Sequence, residues 1–108
     1  MKHPDAQHYI GGTFQSGGTT RLDIHQPATG AVLSEVTLGD AATVDAAVRA
    51  AEAAFPAWSA LPIKERVQVF YRYRELLQRH LRELSALITE EHGKLAAEAD
   101  AEILKAIE

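Results

Sequence analysis

Residues 40–56 read DAATVDAAVRAAEAAFP and mark the change from a half rich in Gly and Thr to a half rich in Ala, Leu and Glu. Asp40 is suited to cap a helix, because its carboxylate can accept hydrogen bonds from the unpaired backbone N–H groups of the first turn. Pro56 is predicted to end this helix at or near Phe55. Apolar side chains recur at helical spacing between these two points, which predicts one buried stripe made of Val44, Ala47, Val48, Ala51 and Phe55.

The residues before Asp40 predict short antiparallel strands between about residue 8 and residue 38. Gly11-Gly12 lies between HYI at 8–10 and TFQ at 13–15, and this dipeptide supplies the positive φ angles of a tight hairpin turn. The pair Gly17-Gly18 makes a second break. We therefore predict a β-hairpin at the beginning of the chain.

A second pair of strands is predicted around the sequence PATG at 27–30. Proline presets φ for a turn, and Gly30 tolerates the left-handed region. Leu22 and Ile24 share one face of the strand before the turn. Alternating side chains over 32–38 indicate another strand after it.

The residues after Pro56 predict a short connection at 57–61, anchored to the core by Trp58, and then further helices. Pro62 suits the first turn of the next helix. Apolar residues then follow a three-four spacing that Arg74 interrupts, namely Ile63, Val67, Phe70, Leu77, Leu81, Leu84 and Ile88. The pattern fits one long helix or two shorter ones with a bend near His80, and Gly93 supplies the stop.

A last helix is predicted from about Ala96, with apolar positions at Ala99, Ile103, Ala106 and Ile107. It reaches Glu108 without Gly, Asn or Pro, and with an acidic side chain where the helix dipole prefers a basic one. We expect from this that the chain is cut inside a helix. The whole pattern predicts an α+β fold class, with short antiparallel strands followed by three to four helices.

Composition limits the classes of function. A chain of 108 residues with 46% apolar side chains fits one small globular domain. A formal charge of -4 argues against a nucleic-acid partner, which needs a basic surface. No apolar run is long enough for a membrane span, the first nine residues are polar, and the chain has no cysteine. We therefore predict a cytoplasmic location without membrane contact.

Four patterns could suggest a site, and each has a plainer interpretation. The histidines show no paired ligand spacing. The basic stretch from Lys64 to Arg82, with Tyr71 and Tyr73 inside it, is interleaved with acidic residues and predicts a solvated helix face. The Gly pairs precede strands rather than helices, so they are turns and not phosphate loops. The series of apolar residues at three-four spacing covers too few heptads for a coiled coil, and its apolar stripe is too wide. The histidines are His3, His8, His25, His80 and His92.

No catalytic, cofactor-binding or metal-binding residue can be assigned from these patterns. The sequence contains no assembled Ser/His/Asp set and no Gly-rich nucleotide fingerprint. The residues alone therefore predict an α+β domain without a site.

A series of segments is similar to the beginning of the aldehyde dehydrogenase superfamily. The segments occur in order, at the family's spacing, over nearly the whole chain. Gln26 departs from the Asn that is usual in the turn motif. The matching segments are YIGG at 9–12, QPATG at 26–30, VDAAV at 44–48, AFPAW at 54–58, Arg66, EHGK at 91–94, Glu98 and Glu102.

The sequence EHGK at 91–94, with no Pro after Lys94, is most similar to the CoA-acylating methylmalonate-semialdehyde dehydrogenase branch. The resemblance implies that residues 1–108 form the N-terminal part of an NAD-binding domain within the α/β aldehyde dehydrogenase fold. It implies NAD and CoA as cofactors, an aldehyde substrate, and a homo-oligomer completed by the rest of the enzyme chain. The family's Cys nucleophile, its oxyanion-holding Asn and its dinucleotide-binding strands match no residue of this sequence.

Two hypotheses therefore compete. The first is a piece of an enzyme that is inactive alone. The second is a free-standing helical interaction or regulatory domain derived from the same family. The first predicts exposed apolar faces, such as Val44/Val48 and Ile103/Ile107, and hence self-association of the isolated chain.

Overall fold

The computed structural model describes all 108 residues and contains short strands followed by helices, as predicted. The strands are β1 (His8–Ile10), β2 (Thr13–Gln15), β3 (Arg21–His25) and β4 (Val32–Thr37). The helices are α1 (Ala41–Ala60), α2 (Ile63–Arg79), α3 (Leu81–His92) and α4 (Ala96–Ile107). No helix is both long and apolar enough to cross a membrane. The chain divides into two units, of which the first holds residues 1–25 and 32–60 and the second holds residues 26–31 and 61–108.

The first unit contains two antiparallel strand pairs, β1 with β2 and β3 with β4. The tight turn between β1 and β2 is confirmed, since Gly11 and Gly12 have φ angles of 59° and 82° and Ile10 pairs with Thr13. The chain before β1 runs beside β4, where the Ala6 N–H donates to the Glu35 carbonyl at 2.8 Å. This pairing adds a third chain segment to the β3–β4 pair.

Helix α1 also belongs to the first unit, and it differs from the prediction in where it ends and in the burial of its apolar stripe. It does not end near Phe55, because Pro56 lies inside it, and the predicted connection is helical up to Ala60, with Trp58 38% exposed. Proline removes only one backbone donor, and the alanine-rich sequence around it propagates a helix well, so the helix continues. The stripe predicted to be buried has no buried residue in α1, whereas the exposed Val44/Val48 face predicted for a piece of an enzyme is observed, with these side chains 60% and 59% exposed.

The second unit consists of α2, α3 and α4 with the 26–31 turn. Of the two alternatives for the long apolar series, the structure shows two helices, and His80 lies between them with φ -100° and ψ 14°. Helix α3 ends at Gly93 with φ 82°, as predicted. Helix α4 packs on α3 and buries Ala99 and Ile103, so the expectation that Ile103 is exposed is wrong. Helix α2 has no buried residue.

Candidate functional site

Two of the quoted motifs meet where α3 ends. In the turn at 26–30 the Gly30 N–H donates to the Gln26 carbonyl at 2.8 Å, and Gly30 has a φ of 74°. A Cβ added to Gly93 would lie 3.6 Å from the Cβ of Pro27, in ordinary van der Waals contact. The structure therefore brings the PATG turn and the EHGK segment together, although they are far apart in sequence.

The residues after Gly93 connect α3 to α4 through charged groups. The ammonium group of Lys94 donates a hydrogen bond to Glu102. The Leu95 N–H donates to Glu98 Oε2 at 3.1 Å and so caps α4. The hydrogen bond and the charge of Lys94, with a smaller effect of His92, lower the pKa of Glu102 from its ordinary value of 4.5. Glu98 and Glu102 therefore position α4 within the second unit.

The cap of α1 has the geometry that the sequence predicts. The Thr43 N–H donates to Asp40 Oδ1 at 2.8 Å, and the Thr43 hydroxyl donates to the same oxygen at 2.7 Å. These two hydrogen bonds lower the pKa of Asp40 from its ordinary value of 3.8. The carboxylate of Asp40 therefore acts as a helix cap.

The histidines lie at separate places in the structure. His8 Nε2 is 3.4 Å from the Gly17 carbonyl, and His80 Nδ1 is 2.9 Å from Glu83 Oε2. No group of three or more His, Cys, Asp or Glu side chains is arranged to hold a metal ion. His8 and His80 each make a local contact.

The basic stretch has the mixed-charge surface that the sequence predicts. Arg79 Nη2 is 2.8 Å from Glu75 Oε1, one helical turn earlier. Arg82 Nη1 is 2.8 Å from Asp100 Oδ2 in α4. These two pairs place acidic side chains beside the basic ones, so this part of the stretch has mixed charge.

The two glycine pairs directly precede or lie just before strands β2 and β3. Gly11 and Gly12 make the hairpin turn described above. At Gly18, a Cβ would lie 2.2 Å from the carbonyl oxygen of Leu38. A carbonyl oxygen in this position presents negative charge where a phosphate-binding loop presents N–H donors.

The structure also shows an apolar groove that the sequence reading missed. It lies between α2 and the end of α4, and encloses about 910 Å³. Phe70, Tyr71, Tyr73 and Leu104 are 62%, 60%, 58% and 51% exposed. Part of this signal is present in the sequence, because the three-four apolar spacing of α2 includes Phe70 and is interrupted by Arg74. The groove is lined by Val67, Phe70, Tyr71, Tyr73, Arg74, Leu77, Leu104, Ala106, Ile107 and Glu108.

Comparison with known proteins identifies the family. Residues 14–108, nearly the whole chain, match the model of the aldehyde dehydrogenase family. The chain belongs to the aldehyde dehydrogenase family. This confirms the resemblance seen in the motif series.

The curated relatives of this aldehyde dehydrogenase chain include malonate-semialdehyde dehydrogenases. It is 40% identical over 101 residues to the malonate-semialdehyde dehydrogenase of Pseudomonas aeruginosa, covering 94% of the chain and 20% of that protein. It is 37% identical over 106 residues to the human mitochondrial acylating methylmalonate-semialdehyde/malonate-semialdehyde dehydrogenase, covering 97% of the chain and 20% of that protein. The chain thus spans about a fifth of the length of these relatives.

Solved aldehyde dehydrogenase structures share the fold of the chain. A Sinorhizobium meliloti protein, described as a methylmalonate-semialdehyde dehydrogenase and complexed with NAD, matches 99% of the chain with a TM-score of 0.91 and 33% identity. The lactaldehyde dehydrogenase of Escherichia coli matches 96% with a TM-score of 0.90 and 34% identity. The chain covers 22% of each of these structures. The strand-then-helix order is therefore the family's own architecture.

Proposed function

We propose that these residues form the N-terminal part of the NAD-binding domain of an NAD-dependent aldehyde dehydrogenase. The proposed reaction is oxidation of malonate or methylmalonate semialdehyde to an acyl-CoA. The observation that carries the proposal is the identity of 37–40% to malonate- and methylmalonate-semialdehyde dehydrogenases over 94–97% of the chain. The word acylating in the name of the human relative supports CoA as the acyl acceptor.

In the proposed enzyme this chain has a structural role, and the catalytic residues lie outside it. The Rossmann fold binds the pyrophosphate of NAD at a Gly-rich turn that leads into a helix N-terminus. The Gly11-Gly12 turn leads into β2, and the space beside Gly18 is filled by a carbonyl oxygen. These residues do not fit a dinucleotide, so we assign NAD and CoA to other parts of the enzyme. What this chain's residues do is hold the α3–α4 junction, through the hydrogen bonds of Lys94 with Glu102 and of the Leu95 N–H with Glu98.

Three further statements about the enzyme stay predictions. They are the cytoplasmic location, the homo-oligomeric state and the absence of catalytic, cofactor and metal residues from positions 1–108. Each follows from the sequence or from the family resemblance, and none is needed for the proposed reaction.

The test is an assay of the natural polypeptide that carries these residues. It is purified and incubated with malonate semialdehyde and NAD, with and without CoA, while NADH is followed by absorbance and the acyl product by mass spectrometry. We expect NADH and acetyl-CoA in equal amounts when CoA is present, because the acylating reaction releases carbon dioxide with transfer to CoA. Lactaldehyde serves as the control aldehyde and should give little NADH.

Other outcomes of this assay would support a different function. Formation of malonate without any need for CoA would place the enzyme outside the acylating branch. A natural polypeptide of only these residues that forms no NADH would instead support the free-standing interaction or regulatory domain.

A further inference from the structure

Residues 1–3, which read MKH, carry a set of nitrogen atoms at the spacing of a metal chelate. The set consists of the amino group of Met1, the backbone nitrogens of Lys2 and His3, and the imidazole of His3. Neither Lys2 nor His3 is a proline, so both backbone nitrogens have a proton that a metal ion can displace. An ion bound to all of these atoms closes two five-membered rings and one six-membered ring, which hold the nitrogens in one plane.

The structure places this segment at the surface and attaches it to β4 at one of the nitrogens. Met1 is 72% exposed, and the His3 N–H donates to the Leu33 carbonyl at 3.0 Å. The next residues have contacts of their own, since Asp5 Oδ2 is 3.0 Å from Arg21 Nη1. Residues 1–3 can therefore change conformation while the segment stays attached to the β3–β4 pair.

We propose that the Met1 amino group, the backbone nitrogens of Lys2 and His3, and the His3 imidazole bind one Cu²⁺ ion in a square plane. Planar nitrogen coordination suits Cu²⁺ and Ni²⁺, of which Cu²⁺ binds more tightly, whereas Zn²⁺ prefers a tetrahedron. The ammonium proton and both amide protons pass to solvent on binding. The site does not depend on the proposed function. It is an exception to the prediction of no metal residue, because that prediction considers the spacing of side chains and most of these ligands are main-chain nitrogens.

Metal binding competes with the attachment of residues 1–3 to β4. The His3 nitrogen cannot bind the ion and donate to the Leu33 carbonyl at the same time. Because this hydrogen bond has to break, we expect the folded protein to bind Cu²⁺ about twofold to tenfold more weakly than a peptide of residues 1–6. The coupling is reciprocal, so the bound ion in turn favours release of residues 1–3 from β4.

The test is a Cu²⁺ titration of the natural polypeptide that carries these residues, after its first residue has been identified by peptide mass spectrometry. Thiols are alkylated, and excess glycine in solution competes for the ion and keeps isolated imidazoles unoccupied. The visible d–d absorption band is followed, because it moves to shorter wavelength when only nitrogens fill the plane around Cu²⁺. We expect one equivalent to bind with this spectrum. His3→Ala should weaken binding at least about a hundredfold, and the matched His8→Ala less than about twofold.

Two further variants separate the chelate from binding by the imidazole alone. One glycine added before Met1 keeps every side chain but moves His3 to the fourth position, and it should weaken binding as much as His3→Ala does. Lys2→Gln keeps the backbone nitrogen and removes only a nearby charge, so it should change the affinity by less than about threefold.

Each of the other results would overturn a stated part of the proposal. A residue before Met1 in the natural polypeptide, or an acetylated Met1, would remove a ligand and overturn the site. Equal affinities with and without the added glycine would show that the imidazole binds the ion alone. A folded protein that binds Cu²⁺ as tightly as the peptide of residues 1–6 would overturn the coupling to Leu33. Oxidation of malonate semialdehyde is measured separately, so failure of the proposed function leaves these results unchanged.

Discussion

At the scale of single residues, the junction between strands and helices depends on Asp40. Its carboxylate accepts hydrogen bonds from both the N–H and the hydroxyl of Thr43. The preference of helix N-termini for Asp allows this contact to be predicted from the sequence alone, because the partners are only three residues apart.

The lowered pKa of Asp40 gives a pH dependence with a definite sign. A carboxyl group whose pKa is lower in the folded state stabilises the fold above its ordinary pKa of 3.8, and this contribution is lost as the pH falls through the folded value. Asp40→Asn keeps a cap acceptor but does not titrate. We expect the variant to be less stable than the wild type at neutral pH, and the difference to shrink in acid.

Urea unfolding of both proteins, followed by circular dichroism between about pH 7 and pH 3, measures this difference. A gap in the unfolding midpoint that stays constant over the whole range would contradict the assignment. Asp45→Asn is the control, since Asp45 pairs with Arg49 outside the cap.

The conformation of the loop before β3 requires a glycine, because there is no space for a side chain at this position. At Gly18, φ is 81° and an added Cβ would lie 2.2 Å from the Leu38 carbonyl oxygen. Gly18→Ala should therefore lower the free energy of unfolding by about 2 kcal/mol or more. Gly30→Ala is the matched control, because φ is 74° but nothing lies within 4 Å of the added atom, and it should cost about 1 kcal/mol. Equal losses in urea unfolding would argue against the steric effect.

At the scale of elements, local chemistry allowed most boundaries to be predicted. Some residues determine the conformation of the turn or cap in which they lie, and so decide where an element begins or ends. They are Gly11-Gly12 for β1, Asp40 for α1 and Gly93 for α3. The predicted end of α1 near Pro56 was wrong, because the effect of a proline depends on the helix propensity of the residues on both sides. The bend at His80 was predicted only as one of two alternatives, since the apolar spacing runs through it.

Pro56 should weaken α1 without ending it. Pro56→Ala restores an N–H donor to the Glu52 carbonyl and should raise the free energy of unfolding by about 1 to 2 kcal/mol. Pro62→Ala is the control. Pro62 lies just before α2, where its carbonyl accepts the first hydrogen bonds of the helix and no N–H donor is needed. That change should instead lower stability by up to about 1 kcal/mol through the greater freedom of the unfolded chain. A loss of stability in Pro56→Ala, measured by urea unfolding, would show that the proline supports the local structure.

At the scale of the whole molecule, the sequence does not reveal which apolar faces are covered. Periodicity correctly placed Val44 and Val48 on one face of α1 and Ala99 and Ile103 on one face of α4. The structure buries the second face and exposes the first. Coverage depends on contacts between distant elements, and spacing within one helix contains no information about them. The α2–α4 groove was missed for the same reason.

The exposed faces predict how the 108-residue chain behaves in solution. Val44, Val48 and Phe55 on α1 are each about 60% exposed or more, so association of two copies removes apolar surface from water. We expect a sedimentation coefficient that rises with concentration in the micromolar range, and Val44→Ser with Val48→Ser should reduce this rise. Ala42→Ser with Ala46→Ser makes a similar change of polarity on α1 without removing a large apolar side chain, and should have a smaller effect. A monomer at all concentrations that unfolds in one sharp calorimetric transition would instead favour the free-standing domain, because such a chain needs no further part of an enzyme to be stable.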